Sequence, residues 1–192
     1  MAEWGLGLTP LNRSLDGAIR MTSDDFLIET LTSGTEPFAS DLIRRNLLGY
    51  EEVGSVLAAT FRRLSDLISV YNREGSRFFV LRHSSSSSSC IGGAGIGSLH
   101  GLPPSEGLGE VRDLVLEESY RGQGLGARLL KRCVEEAKTL GYKRLYLETT
   151  PQMEKAQKLF IRFGFRPVTQ AHIDTRSKAP ESIPCYYILE DL

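Results

Sequence analysis

The chain has 192 residues, with 23 lysines and arginines against 24 aspartates and glutamates, a net charge of −1. That length suits one domain, and 41% hydrophobic with 24% charged residues suits a chain that folds around a sizeable core. A balance this even leaves no basic footprint for a nucleic acid or a membrane surface, and no apolar run approaches the ~20 residues that span a bilayer. The opening residues Met1, Ala2, Glu3, Trp4 and Gly5 have neither the basic nor the apolar region of a secretory signal. Cys90, Cys133 and Cys185 lie far apart, without a paired spacing or a neighbouring histidine. Neither a metal site nor a disulfide framework is expected, and a cytoplasmic setting is.

In chain order, residues 18–20 are a candidate first strand, and Ser23, Asp24 and Asp25 form a helix-start signal. Residues 34–52 carry mixed signals that predict a short helix and a loop. From Val53, apolar residues recur at three- and four-residue steps through Val56, Leu57, Phe61, Leu64, Leu67, Ile68 and Tyr71. That period predicts an amphipathic helix, with Gly75 turning the chain after it. Residues 76–82 read as a strand and residues 90–100 as a second, glycine-rich one. The unbroken serines at 84–89 have nothing to bury, so a hairpin with a long polar tip is expected. The glycines weaken the second strand but let another backbone approach closely.

The second half reads as strand, helix, strand, helix and two strands. Residues 110–116 alternate and then turn apolar, as an interior strand does. Residues 126–140 place Leu129, Leu130, Cys133, Val134 and Ala137 on one helical face, with Gly141 as the stop. Residues 144–148 form a strand. Thr150 and Pro151 read as an N-cap and first helical residue. A stripe of Met153, Ala156, Leu159, Phe160 and Phe163 follows, ended by Gly164. Residues 165–168 and 185–190 are the last strands, with a polar loop at 171–184 between them. The pattern is that of an α/β (α+β) domain with a mixed sheet.

Between the strand at 110–116 and its helix lie Arg121, Gly122, Gln123, Gly124, Leu125, Gly126 and Ala127. Closely spaced glycines there let backbone N–H groups converge on an anion, and the helix N-terminus adds partial positive charge. A pyrophosphate is the natural guest, with Arg121, Arg128, Lys131 and Arg132 close in sequence to meet further phosphates. Gly122, Gly124 and Ala127 also satisfy the dinucleotide pattern, and Glu148 follows where an acid would bind a ribose. The five residues at 117–121 separate strand from glycine, however, and too little chain remains for a doubly wound sheet. No Gly-Lys-[Ser/Thr] follows, which excludes a P-loop.

The run at 121–126 matches [Q/R]-x-x-G-x-[G/A], and in this the chain resembles the GNAT superfamily of N-acetyltransferases. Residues 110–116 resemble that family's fourth strand, and residues 117–121 the turn from it. Residues 155–165 resemble its fourth helix and the Gly-Phe that enters its sixth strand. The hairpin at 78–99 and the final strand also fall in family order. The resemblance implies a single GNAT-like domain over 1–192, with a mixed, mostly antiparallel sheet of six to seven strands flanked by helices. In it, 1–75 would supply acceptor-side helices and 76–192 the acetyl-CoA-binding core.

The implied co-substrate is acetyl-CoA, its pyrophosphate on Arg121, Gly122, Gln123, Gly124, Leu125, Gly126 and Ala127. Main-chain groups of Leu114, Val115 and Leu116 would hold the pantetheine arm and polarise the acetyl carbonyl. The implied partner is a primary amine, attacking directly in a ternary complex, with no nucleic acid or membrane and as a monomer or homodimer. An amine must be neutral to attack, and a lysine amine has a pKa of ~10.4. Glu110, which begins its strand and matches an acid common there in the family, is the candidate general base the resemblance implies, ahead of Glu148 and His100. One departure stands out: where many members carry a tyrosine that protonates the leaving thiolate, this chain has Phe160, and Met153 replaces a frequent asparagine. Unassisted thiolate departure, water, Tyr186 or Tyr187 are the substitutes. A coenzyme A-binding sensor of weak activity and a nucleotide-dependent oxidoreductase are the competing readings.

Overall fold

In the computed structural model, which describes residues 25–48, 64–86, 89–99, 102, 104–169 and 185–192, period-two segments pair into one seven-stranded sheet. The strands are β1 (Phe26–Thr30), β2 (Arg77–His83), β3 (Gly92–Ser98), β4 (Leu108–Leu116), β5 (Arg144–Thr149), β6 (Arg166–Val168) and β7 (Cys185–Leu189). Their spatial order is β1-β2-β3-β4-β5-β7-β6, and every neighbouring pair is antiparallel except β4 with β5. A doubly wound dinucleotide fold needs a parallel sheet. This topology excludes it.

Helices cover the sheet on both faces. On one lie α3 (Leu125–Thr139) and α4 (Glu154–Arg162), whose Leu125, Leu129, Leu130, Cys133, Ala137 and Phe160 pack against Phe79, Leu81, Ile96, Leu145 and Leu147. On the other, α1 (Glu36–Leu48) and α2 (Leu67–Tyr71) bring Ala39, Leu42, Ile43, Leu67 and Tyr71 onto Phe78, Val80 and Cys90. The two helices are tied together by the Ile68 amide, which donates to Glu36 Oε1 at 2.9 Å. Helix ends follow the glycines: Gly75, Gly141 and Gly164 sit at φ of +72°, +86° and +89°, a region open to glycine at little cost.

Several expectations are corrected. The helix-start signal ending at Asp25 leads straight into β1, where Phe26 is buried and Ile28 half-buried, so alternation outweighs the local capping residues. Residues 18–20, 23–24, most of the helix expected from Val53, His100 and the loop at 171–184 lie outside the described residues. Thr150 does not cap α4. Its carbonyl instead accepts from Met153 N in a turn and from Gln157 Nε2, so the helix begins at Glu154.

The glycines of β3 admit side chains rather than another backbone. A Cβ on Gly93 would fall 2.7 Å from Phe78 Cζ, on Gly95 2.3 Å from Tyr71 Cζ, and on Gly97 2.5 Å from an Arg112 nitrogen. Every second residue of β3 is thus stripped so that two rings and a guanidinium lie close against the strand.

All three cysteines are free. Burial pushes the Cys90 and Cys133 thiols up to about 12, and Tyr142, Tyr146, Tyr186 and Tyr187 are raised mainly by the same cause. Between the unfolded thiol value, about 8.5, and the folded one, the unfolded chain binds fewer protons than the native one, so stability falls as pH rises. We expect the unfolding free energy from urea titrations to fall between about pH 8 and pH 10, by up to about 1.4 kcal/mol per pH unit per thiol, with a matching drop in the midpoint. In native protein at neutral pH a thiol reagent should titrate half-buried Cys185 first and the other two only on unfolding.

Candidate active site

The parallel pair β4 and β5 is joined by three rungs alone: Leu108 with Arg144, Gly109 with Leu145, and Glu110 with Tyr146. Beyond the last rung β4 runs on to Leu116 and β5 to Thr149 without pairing, which leaves a wedge between them. A bulge drives the divergence. Opposite β3 the register jumps from Gly93 with Val115 to Gly95 with Arg112, so Asp113 and Leu114 together face Ala94. Such an insertion bends the strand and increases its twist. Asp113 takes φ +52°, uncommon away from glycine, and its carboxylate is pinned by the Tyr71 hydroxyl at 2.7 Å.

Which main-chain groups face the wedge follows from alternation. Glu117 N–H donates to Ile91 O at 2.8 Å, so Val115, two residues earlier, also turns its main chain toward β3. Leu114 and Leu116 then present theirs to the wedge. The Leu116 carbonyl accepts from Arg121 Nε at 3.1 Å, which fits that direction. The Val115 side chain packs against the α1 and α2 cluster.

At the open end, a 3-10 turn (Glu118–Tyr120) leads into the glycine loop. Gly122 and Gly124 have φ of +80° and +79°, and a Cβ on either would meet nothing within 4 Å, so the cradle is both glycine-shaped and open. Gly124 is the N-cap of α3 and offers no side chain to its amides. The first amides of a helix have no acceptor within it, so those following Gly124 are available to an anion with the helix dipole behind them. Leu125 anchors the helix end in the core. Gly126 keeps its distance from the anion question: a Cβ there would touch Leu159 at 3.7 Å, so it admits α4. Gln123 Nε2 bonds back to Ser119 O at 3.2 Å and stiffens the loop.

The basic side chains expected to meet phosphates are largely committed elsewhere. Arg128 donates to Phe26 O, and Arg132 pairs with Glu136 and lies over the Phe79 ring at 4.5 Å. Lys131 is exposed beside Glu135. Arg121 bridges Leu116 O and Asn46 Oδ1, the latter at 2.8 Å, which ties the loop to α1. Its guanidinium is exposed at the mouth of the wedge.

The sheet face shared with α1 and α2 carries the polar groups. Glu110 Oε2 lies 2.9 Å from Arg112 Nε, and Arg112 also donates to Ser98 O. On β5, Tyr146 is buried and its hydroxyl donates to Glu148 Oε1 at 2.5 Å. Tyr186 stacks on Tyr146 with ring centroids 6.0 Å apart. Burial and then Glu148 raise the Tyr146 phenol, with Glu110 adding a smaller push, so it stays neutral across the physiological range. Tyr187 is on the opposite face, its hydroxyl on Gln157 Oε1 and its ring 6.1 Å from Phe160. Phe160 is buried there against Phe165. Sequence reading missed Asp113, Tyr71 and Tyr146. The two-residue spacing of Tyr146 and Glu148 on a strand was the one available signal, since it puts both on one face.

The model of the acetyltransferase (GNAT) family matches residues 48–165. The chain belongs to the GNAT family. Among curated proteins it is 30% identical over 116 residues to the uncharacterized N-acetyltransferase YjgM of Escherichia coli, a match covering 58% of this chain and 66% of that one. The chain thus spans slightly less than two thirds of that relative. Among solved structures, yncA of Salmonella typhimurium, whose structure holds its cofactor acetyl-CoA, superposes with a TM-score of 0.65 at 16% identity over 86% of this chain and 94% of that one. A GNAT acetyltransferase of Elizabethkingia anophelis with acetyl-CoA bound gives 0.56 at 21% identity, over 88% and 99%. At these identities the superpositions establish the fold.

Proposed function

We propose that the protein transfers the acetyl group of acetyl-CoA to a primary amine by direct attack in a ternary complex. The observation that carries this reading is the wedge between β4 and β5, which opens main-chain groups of Leu114 and Leu116 beside a glycine cradle at a helix N-terminus. The residues fit the carrier. The space that a Cβ would take at Gly122 and Gly124 is free for a diphosphate, and the main chain of β4 left unpaired with β5 beyond Glu110 would offer partners to an extended amide-bearing arm. Arg121, Gly122, Gln123, Gly124, Leu125 and the amides of Gly126 and Ala127 would hold the diphosphate. Acetyl-CoA would supply an activated acyl group as its thioester.

The chain's own part is positioning and proton handling. A main-chain N–H on the wedge side of β4, at Leu114 or Leu116, would donate to the acetyl oxygen as it gains negative charge, an interaction strongest where water is excluded. Glu110, at the last rung of the wedge, is the proposed general base, its carboxylate oriented by Arg112. α1 and α2 form the acceptor-side wall. Phe160 holds no exchangeable proton, so the departing thiolate leaves unassisted or takes a proton from water. Tyr187 faces Gln157 beneath α4, and Tyr186 lies against Tyr146 on the acceptor face.

The test is thiol release from acetyl-CoA with a panel of L-lysine, putrescine and glucosamine 6-phosphate, alongside calorimetry with acetyl-CoA alone. Binding with turnover on at least one amine is expected. Tight binding without turnover on any amine would favour a sensor, and absence of binding would remove the proposal altogether.

A further inference from the structure

Converting an ammonium to an amide takes two protons from one nitrogen: one before attack, and one as the C–N bond forms and the C–S bond breaks with its electron pair going to sulfur. Glu110, half-buried and clasped by Arg112, can receive one of them. The other must travel from the nitrogen to the departing sulfur or to water, and a second station would carry it. We infer that Tyr146 and Glu148 are that station, an exit in which the phenol oxygen takes a proton from the acceptor nitrogen as the phenol's own proton passes to Glu148. This rests on the acetyl-transfer reading above.

Geometry carries the inference. Tyr146 is the β5 partner of Glu110 on the last rung, so its ring starts where the wedge opens. Its hydroxyl already points at Glu148 Oε1 with a separation of 2.5 Å, short for a neutral pair and typical of a charge-assisted one. Glu148 is exposed while Tyr146 is 1% exposed, so the pair links a buried atom to solvent in a single hydrogen bond. The phenol remains neutral and acts by relay, never as free phenolate. Few other charges bear on it from the elements packed there. From β4 come Glu110 and Arg112, paired with each other, and from β7 the Tyr186 phenol. From β6 and the chain end come Arg166 and Glu190, again mutually paired. Among these described groups Glu148 is the carboxylate bound to the phenol itself.

The experiment compares Glu148→Gln, Glu148→Asp and Tyr146→Phe with wild type, using acetyl-CoA and whichever of L-lysine, putrescine or glucosamine 6-phosphate the wild type acetylates best. Proton transfer by a placed side chain contributes about 10²–10⁴-fold, so Glu148→Gln and Tyr146→Phe should each lower kcat at neutral pH by about a hundredfold. Their kcat should recover as pH rises, and Glu148→Asp should restore part of the loss. Hydroxylamine, already neutral at neutral pH, should be acetylated by wild type and Glu148→Gln within a few-fold of each other. A readout apart from turnover is calorimetry of the amine binding to the coenzyme A complex, where Glu148→Gln should weaken an ammonium and leave acetyl-CoA affinity unchanged. Wild-type kcat and an unshifted pH profile in both variants would overturn the relay while leaving acetyl transfer standing. A wild type that acetylates none of the amines would overturn acetyl transfer and the relay with it.

Discussion

Gly124→Glu should abolish detectable acetyl-CoA binding while leaving the fold nearly as stable as before. Gly124 sits at φ +79°, where a side chain costs about 1–2 kcal/mol in strain. A Cβ there meets no atom within 4 Å, so no packing is disturbed and the new side chain enters the space proposed for the diphosphate. A carboxylate about 5 Å from a doubly charged diphosphate is repelled by about 1.7 kcal/mol in a water-like dielectric and by several times that near a protein surface. The new charge also neutralises the positive end of α3. Together these weaken binding at least a hundredfold, since every 1.4 kcal/mol is tenfold. Gly124→Ala separates the causes: it carries the strain and a methyl group but no charge, and should lose about tenfold. Calorimetry with acetyl-CoA reads both, and thermal unfolding checks that the melting temperature moves only a few degrees. Undiminished affinity in Gly124→Glu would show that the anion is held elsewhere.

The legible parts of this chain were those in which local chemistry and tertiary context agree. Glycines at 75, 141 and 164 end helices because no other residue enters the left-handed region so cheaply, and the structure places each there. The stripe of Leu129, Leu130, Cys133 and Ala137 faces the core because its period matches the helix. The glycine loop was visible because Gly122 and Gly124 take left-handed conformations that glycine enters at little cost. The failures occurred where a signal has two uses. Aspartates and serines cap helices, yet Asp25 precedes an edge strand. There its carbonyl accepts from Ser84 N, and alternating burial decides the outcome. Thr150 and Pro151 form a good helix start in isolation, but Gln157 claims both carbonyls and holds the pair in a turn. The bulge at Asp113 left no trace in composition or period, because it arises from register against β3 and from a tyrosine 42 positions away. Arginines at 128 and 132 lie close in sequence to the loop, and helical geometry carries them onto Phe26 O and the Phe79 ring. The candidate site is thus half-written in local sequence and half in pairing register, and the sheet face shared with α1 and α2 belongs to the second half.

Among the glycines of the described residues, Gly95 should be the one where an added methyl does most damage. The new Cβ would lie 2.3 Å from both Cζ and Oη of Tyr71. Tyr71 has nowhere to go: it is 2% exposed, leans on Phe78 with centroids 5.1 Å apart, and its hydroxyl is bound to Asp113. It also ends α2, whose Asp66 cap and bond to Glu36 fix the backbone behind it. Overpacking costs about 1–3 kcal/mol, and a lost hydrogen bond to a charged group about 1.5–3 more. A loss of about 3 kcal/mol would lower the melting temperature by about 6–12 °C at this chain length. The cause is isolated by a double-mutant cycle. Tyr71→Phe alone should cost only the hydrogen bond. In a Tyr71→Ala background the ring is gone, so the further change Gly95→Ala should cost almost nothing. Because the same ring pins the Asp113 bulge, and the bulge splays β4 from β5, Gly95→Ala should also weaken acetyl-CoA binding at temperatures where it remains folded. Additive costs in the cycle would show that the glycine stripe of β3 serves the strand itself and not the ring laid across it.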